Sequence, residues 1–118
     1  MSFTQTKIIS ENETAIACES GDLAVWGTPA MVAFMENTAI AFVSLPEGKT
    51  SVGVKMDLQH LRAALVGDKV TCKAEIKQNA GNKIVFAIEV TAENGELVGL
   101  ATHERYIVDI ERFMSKIR

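Results

Sequence analysis

The sequence predicts an α+β domain: one long helix followed by a run of long antiparallel strands. Two patterns predict it. From Gly27 to Val43 the chain is apolar on nearly every side of a helical projection and carries a single charged residue, Glu36. Beyond Gly48 the apolar period falls to two, with turn signals at Val66-Gly67-Asp68, Ala80-Gly81-Asn82 and Asn94-Gly95. A curled antiparallel sheet of five or six strands wrapping one central helix satisfies both patterns. The whole chain, 1–118, is expected to be a single domain, since 118 residues suffice for one core and not for two.

Taken in order, Thr4 to Glu19 reads as extended, with a turn at Glu11-Asn12-Glu13 and Ala15-Ile16-Ala17-Cys18 as a candidate buried strand. Ser20-Gly21-Asp22 is a loop signal. Leu23 to Gly27 leads into the helix, where Trp26 packs or lines a pocket rim. Thr28 is placed to cap the free amides of the first turn, and Pro29 suits a first helical position. The helix is expected from Pro29 to Val43 or Ser44, stopped by Pro46 and Gly48. Val52, Val54, Met56, Leu58 and His60 then share one strand face, with Gly53, Lys55, Asp57 and Gln59 on the other. Val70 to Lys77, Ile84 to Thr91 and Glu96 to Val108 give three more strands, which form a meander. Ile110 to Ile117 is a short amphipathic tail. Exposed sheet edges make pairing with a second copy plausible.

Composition excludes several classes. A net charge of −3 leaves no basic footprint, so nucleic acid is not an expected partner. No run is apolar and long enough to span a membrane. The first seven residues lack the apolar core of a signal peptide, which points to the cytoplasm. Two cysteines and two histidines without ligand-like spacing predict neither a metal site nor a disulfide framework.

Three residues break local rules. An ionised Glu36 inside an apolar helix is costly unless it is paired or faces a wet cleft; the bland alternative is a narrow polar stripe with Asn37 and Ser44. His60 occupies a phase otherwise used by core residues, or is a half-exposed strand end near Arg62. Thr28 is a helix cap, or something more. Gly53 relieves crowding within a strand. His103-Glu104-Arg105 reads as a solvated strand segment with cross-strand pairing.

Four pieces, in this order and spacing, resemble a known family: Gly27-Thr28-Pro29 with Ala33 to Glu36, Ser51-Val52-Gly53, Asp57-Leu58-Gln59-His60-Leu61, and Thr102-His103-Glu104-Arg105-Tyr106. They resemble the fluoroacetyl-CoA thioesterase-like branch of the hot-dog fold, over roughly Gly21 to Val108. The resemblance implies a curled sheet around a central helix, a working homodimer or a tetramer, and a catalytic set at Thr28, Glu36 and His60. It also implies that Gly53 lies near the thioester. Trp26 is the one aromatic residue in the segment before Thr28, so fluoroacetyl specificity does not carry over. Arg105 is a candidate substrate or CoA contact, and Lys55, Lys73 and Lys77 are candidates for CoA phosphates or plain solvated positions.

The chemistry agrees with that set. Thioester hydrolysis needs a nucleophile or activated water, a proton shuttle and an oxyanion stabiliser. Glu36 supplies the nucleophile or base, His60 the shuttle, and the helix start near Thr28 a place for negative charge. Thr28 and Glu36 lie eight residues apart, about 12 Å along a helix, so the substrate spans them or the site is built across two subunits. The expected activity is acyl-CoA hydrolysis without a further cofactor, CoA being part of the substrate. The alternative is a non-catalytic binder of acyl-CoA or a small ligand on the same fold.

Overall fold

The computed structural model describes residues 1–117. Strand β1 (Ser2–Ile8) is followed by a single 3-10 turn (Glu11–Glu13), helix α1 (Thr28–Phe42), strands β2 (Lys49–His60), β3 (Lys69–Ala80), β4 (Lys83–Ala92) and β5 (Leu97–Asp109), and a short helix α2 (Ile110–Lys116). The strands form one antiparallel sheet in the order β1-β3-β4-β5-β2. The predicted meander is therefore its centre, with β1 and β2 as the edges.

The sheet curls because three of its ladders slip by a residue: between Gly53 and Lys55, between Ile76 and Gln78, and between Val90 and Thr91. Each bulge bends and twists its strand. The concave side receives α1, whose Met31, Met35, Phe34 and Ala39 are buried with Phe86, Ile84, Ile88, Val90 and Val98 of the sheet. Helix and sheet approach closely at Gly99, where a Cβ would lie 2.6 Å from Met31 Sδ. A side chain there would force the Met31 side chain to shift.

The bulge in β2 changes which residues face α1. Read as unbroken alternation, Gly53 falls on the outer face with Lys55. In the structure Gly53 pairs with Arg105 and Met56 with His103, so Gly53 and Met56 both face inward across the skipped Val54, which is 53 % exposed. Beyond the bulge, Met56, Leu58 and His60 keep their predicted phase.

Three local expectations are corrected. Ala15 to Cys18 is a turn and not a strand: Cys18 N–H donates to Thr14 O, Ser20 N–H to Ala15 O, and Ile16 is exposed. The α1 N-cap is Gly27, not Thr28, which stands inside the first turn and leaves its hydroxyl free for another partner. And α1 is not enclosed all round, because a sheet covers one side of a helix: Pro29, Ala33, Asn37, Ile40 and Ala41 form an exposed, largely apolar opposite face. Helix α1 ends at Phe42, and α2 occupies the predicted tail.

The loop before α1 is pinned by one carboxylate. Glu13 accepts from Lys7 Nζ at 2.6 Å, from the Ser10 amide and hydroxyl, and from Trp26 Nε1 at 3.3 Å. Burial alone would raise its carboxyl, but these donors outweigh it and hold Glu13 at about 2. The depressed value stabilises the fold above the ordinary carboxylate range and is lost as pH falls from 4.5 towards 2. Replacing Glu13 by Gln should lower the unfolding free energy at pH 7 by about 1–3 kcal/mol. The same change should flatten the acid limb of stability between pH 4.5 and 2, as read by urea denaturation at stepped pH.

Candidate active site

Helix α1 and strand β2 run antiparallel across the concave side, so the start of the helix meets the end of the strand. There Thr28 Oγ1 lies 2.7 Å from His60 Nδ1. This is the partner that frees Thr28 from a capping role. A hydroxyl within hydrogen-bond reach of an imidazole is the arrangement of a nucleophile or proton relay with its base. The pair opens on a cleft of about 320 Å³ lined in part by Ser20, Val25, Leu61 and Arg62.

The indole of Trp26 stands edge-on to the His60 ring, with centroids 6.3 Å apart at 85°. Trp26 is 1 % exposed, so it supports the cleft from beneath instead of forming an open rim. The network of Lys7, Glu13 and Trp26 thus reaches from β1 to the catalytic candidate. Nε2 of His60 is buried without a hydrogen-bond partner among the described residues.

Two turns further along α1, Glu36 faces Gly53. A Cβ on Gly53 would sit 3.2 Å from each of Glu36 Oε2, Arg105 Nη1 and His103 Cε1. The three side chains therefore converge on a space that exists because residue 53 has no side chain. Glu36 and Arg105 are within twice that distance of each other, yet no ion pair joins them among the described residues. Arg105 is fixed by β2: Nε donates to Ser51 Oγ at 2.8 Å and Nη2 to Ser51 O at 2.9 Å. Its Nη1 lies 3.1 Å from His103 Nε2, and His103 Nδ1 lies 2.8 Å from Lys55 O at the bulge.

The reading of His103-Glu104-Arg105 as a solvated segment is corrected for two of its three residues. His103 and Arg105 are 1 % and 6 % exposed. They alternate inward on β5, and Glu104 between them turns out to meet Lys83 at 3.4 Å and Lys55 at 4.0 Å. Ser51 and His103 were not singled out as site residues. The signal available was their place in the matched pieces, but charged runs on strands ordinarily face water, and only the register shows otherwise. Lys73 and Lys77 line a groove on the outer sheet face together with Asp57, Glu75 and Glu89, a mixed field that does not favour phosphate.

Within one chain the candidates form two clusters, Thr28 with His60 and Glu36 with Gly53 and Arg105. The helix that carries both sets them about 12 Å apart. Burial lowers the His60 imidazole, against a weaker opposing effect of the Arg62 backbone. Burial likewise lowers His103, assisted by Arg105 and opposed by the Lys55 carbonyl and Glu36. Burial pushes Arg105 below its ordinary value and Glu36 offsets part of this. Burial pushes the Cys72 thiol up to about 11, which removes it as a nucleophile near neutrality. Among the described residues no three of His, Cys, Asp and Glu gather as a metal-ion group, and no helix is long and apolar enough to cross a membrane.

Comparison with known proteins gives the family and the fold. Residues 9–111 match the family described as fluoroacetyl-CoA-specific thioesterase. The fluoroacetyl-CoA thioesterase of Streptantibioticus cattleyicolor is 31 % identical over 97 residues, covering 80 % of this chain and 68 % of that protein. The solved structure of the fluoroacetyl-CoA thioesterase FlK superposes with a TM-score of 0.94 at 24 % identity, over 100 % of this chain and 93 % of that one. A hot-dog-like protein from Thermanaerovibrio acidaminovorans gives a TM-score of 0.88 at 24 % identity, over 99 % and 87 %. The expected hot-dog fold is therefore observed, with five strands.

Both imidazoles are harder to protonate in the folded chain than in the unfolded one. Neither affects stability well above pH 6.5. Unfolding free energy should fall as pH drops through 6.5 and stop falling below the lowered folded values. Because the chain has only two histidines, an NMR titration of the ring resonances reads both directly, and each should titrate below 6.5.

Proposed function

The chain belongs to the fluoroacetyl-CoA-specific thioesterase family and is a thioester hydrolase, and from that premise we propose that it hydrolyses a small or medium acyl-CoA at a site completed by a second copy of the chain. One observation carries the proposal: the two clusters that the chemistry must combine each join α1 to β2 but are held apart within each chain. Thr28–His60 of one copy and Glu36–Gly53–Arg105 of the other would make a whole site. The CoA complex of a fluoroacetyl-CoA-specific thioesterase mutant, which superposes with a TM-score of 0.87 at 23 % identity, supports the expectation of a CoA thioester as substrate.

The surfaces suit this assembly. Strand β2 is an unpaired edge of 12 residues, and such edges are otherwise guarded against pairing. On it and just beyond its end lie the exposed Val54 and Leu61, apolar surface that a copy would bury. Antiparallel pairing of two β2 edges about a two-fold axis would run the His60 end of each strand towards the Gly53 end of the other. A cytoplasmic homodimer is the reading we adopt.

In this reading Gly53 leaves room for the thioester carbonyl. Glu36 attacks the carbonyl carbon or takes a proton from the water that does. Arg105, fixed by Ser51, has one N–H on each Nη not engaged by Ser51 or His103, and these stabilise charge developing on the carbonyl oxygen. As the C–S bond breaks, the thiolate receives its proton through His60, whose Thr28 partner orients the ring. Water supplies the oxygen of the free acid and CoA leaves as the thiol. The neutral imidazole at pH 7 suits His60 to accept a proton before donating it.

The test is free-thiol release from acyl-CoAs of rising acyl size. Glu36→Gln and His60→Ala should each lower kcat by about 100-fold or more while the proteins stay folded. Mixed by unfolding and refolding together, the two inactive variants should recover about a quarter of wild-type activity, since half the dimers are hybrids with one intact site of two. Recovery of nothing, with hybrids demonstrated by a tag, would place both residues in one subunit's site. Binding of CoA esters without hydrolysis by the wild type would leave the alternative, a binding protein.

A further inference from the structure

Arg105 presents an unusual problem of orientation. A guanidinium carries five N–H donors in a rigid plane. On β5 it is 6 % exposed, so water reaches little of what the protein leaves open. Ser51 engages the Nε and Nη2 side with its hydroxyl and carbonyl. The remaining contact, at Nη1, is to another side chain that is ordinarily a donor or a cation, His103.

The protonation of His103 follows from its neighbours. A backbone carbonyl only accepts, so Nδ1 carries the hydrogen and donates it to Lys55 O. A guanidinium only donates, so Nε2 must present its lone pair to Arg105 Nη1. The neutral ring with hydrogen on Nδ1 is the one form that satisfies both partners. Phe86 of β4 covers the ring face, with centroids 6.1 Å apart at 27°. On its remaining side the ring edge, Cε1, points at the space over Gly53 that Glu36 and Arg105 share. The carbonyl that fixes the ring belongs to the residue just after the skipped Val54, so the bulge that turns Gly53 inward also supplies the anchor for His103.

We propose that His103 is a positioning residue for hydrolysis: a neutral lone-pair acceptor, clamped by the Lys55 carbonyl, that holds the Arg105 guanidinium turned towards Glu36 and the space over Gly53. It touches no reacting atom. Without it Nη1 loses a buried acceptor, and the guanidinium has two ways to recover, either by rotating away from Ser51 or by closing onto Glu36. Either move takes its free N–H groups out of line with the carbonyl oxygen, or neutralises the carboxylate that should attack. The proposal rests on the role given above to Arg105 and Glu36, and it adds which group keeps them apart and aimed.

Two variants test it. His103→Phe keeps the ring volume and the stacking on Phe86 but has no acceptor. His103→Gln keeps an amide N–H for Lys55 O and an amide oxygen for Arg105. With an acyl-CoA that the wild type hydrolyses, His103→Phe should lower kcat by about 100-fold with KM changed by less than about threefold, the signature of misaimed machinery. His103→Gln should restore kcat to within about tenfold of wild type. A His103→Phe kcat within about twofold of wild type overturns the proposal, and so does a Gln variant no better than Phe.

A second measurement does not depend on turnover. In wild type and His103→Gln, the Arg105 side-chain nitrogen resonances should show slow guanidinium rotation and protected N–H groups. In His103→Phe they should average to the values of a freely rotating group. If the wild type proves to hydrolyse no acyl-CoA, the catalytic reading of the site fails, and the proposal fails with it as a statement about hydrolysis. The resonances then still decide whether His103 orients Arg105, and unchanged Arg105 resonances in His103→Phe overturn that as well.

Discussion

A guanidinium withdrawn from water imposes demands on everything around it. Arg105 stays charged at any ordinary pH, and at 6 % exposure it has little access to solvent. Its donors must find acceptors arranged in its own plane. The chain meets this with the backbone and hydroxyl of Ser51, with the lone pair of His103, and with the field of Glu36. Each of these fixes something else. Ser51 ties β2 to β5 beyond the bulge, His103 ties the bulge itself, and Glu36 settles which face of α1 can look towards β2. Gly53, without a side chain, lets Glu36, Arg105 and His103 converge beside β2.

The second cluster follows from a different economy of the same helix. Glu13, bonded by Lys7, Ser10 and Trp26, holds the segment that enters α1. That places Gly27 and not Thr28 at the cap, and the Thr28 hydroxyl is left to the His60 ring. Trp26 excludes water from the back of that ring, and burial keeps the imidazole in its neutral form. The two clusters thus depend on different strands of the sheet, the edge strand β1 through Lys7 and the interior strand β5 through Arg105, with α1 as the bar between them. Each cluster includes a residue of β2, His60 in one and Gly53 in the other, so the open β2 edge runs beside both.

Much of the fold was legible in the chain. The switch from an apolar helix to period-two alternation gave the α+β class, the meander, and the strand and tail positions to within a few residues, because burial of one strand face writes itself directly into alternation. The order of Thr28, Glu36, Gly53 and His60 in the matched pieces was enough to suggest a thioesterase, since a helix start, a carboxylate two turns on and a strand histidine are local features. Ala15 to Cys18 misled because a short apolar run has no period of its own, and backbone bonds within the turn decided its shape.

What the sequence alone determined was which residue types occupy the central helix and the strands, while the class of chemistry came from the resemblance of the matched pieces to a family. What only the tertiary structure decided was which way those residues point and whom they meet. The bulge at Val54 inverted the phase of Gly53, and the pairing of β5 with β2 and β4 carried His103 and Arg105 inside. A bulge leaves almost no mark in a sequence, because one extra residue alters no composition and only shifts a register. Burial of charged residues likewise depends on acceptors from distant strands. Ser51 and Lys55 lie about fifty residues from the side chains they bind, and no local pattern reaches across that separation.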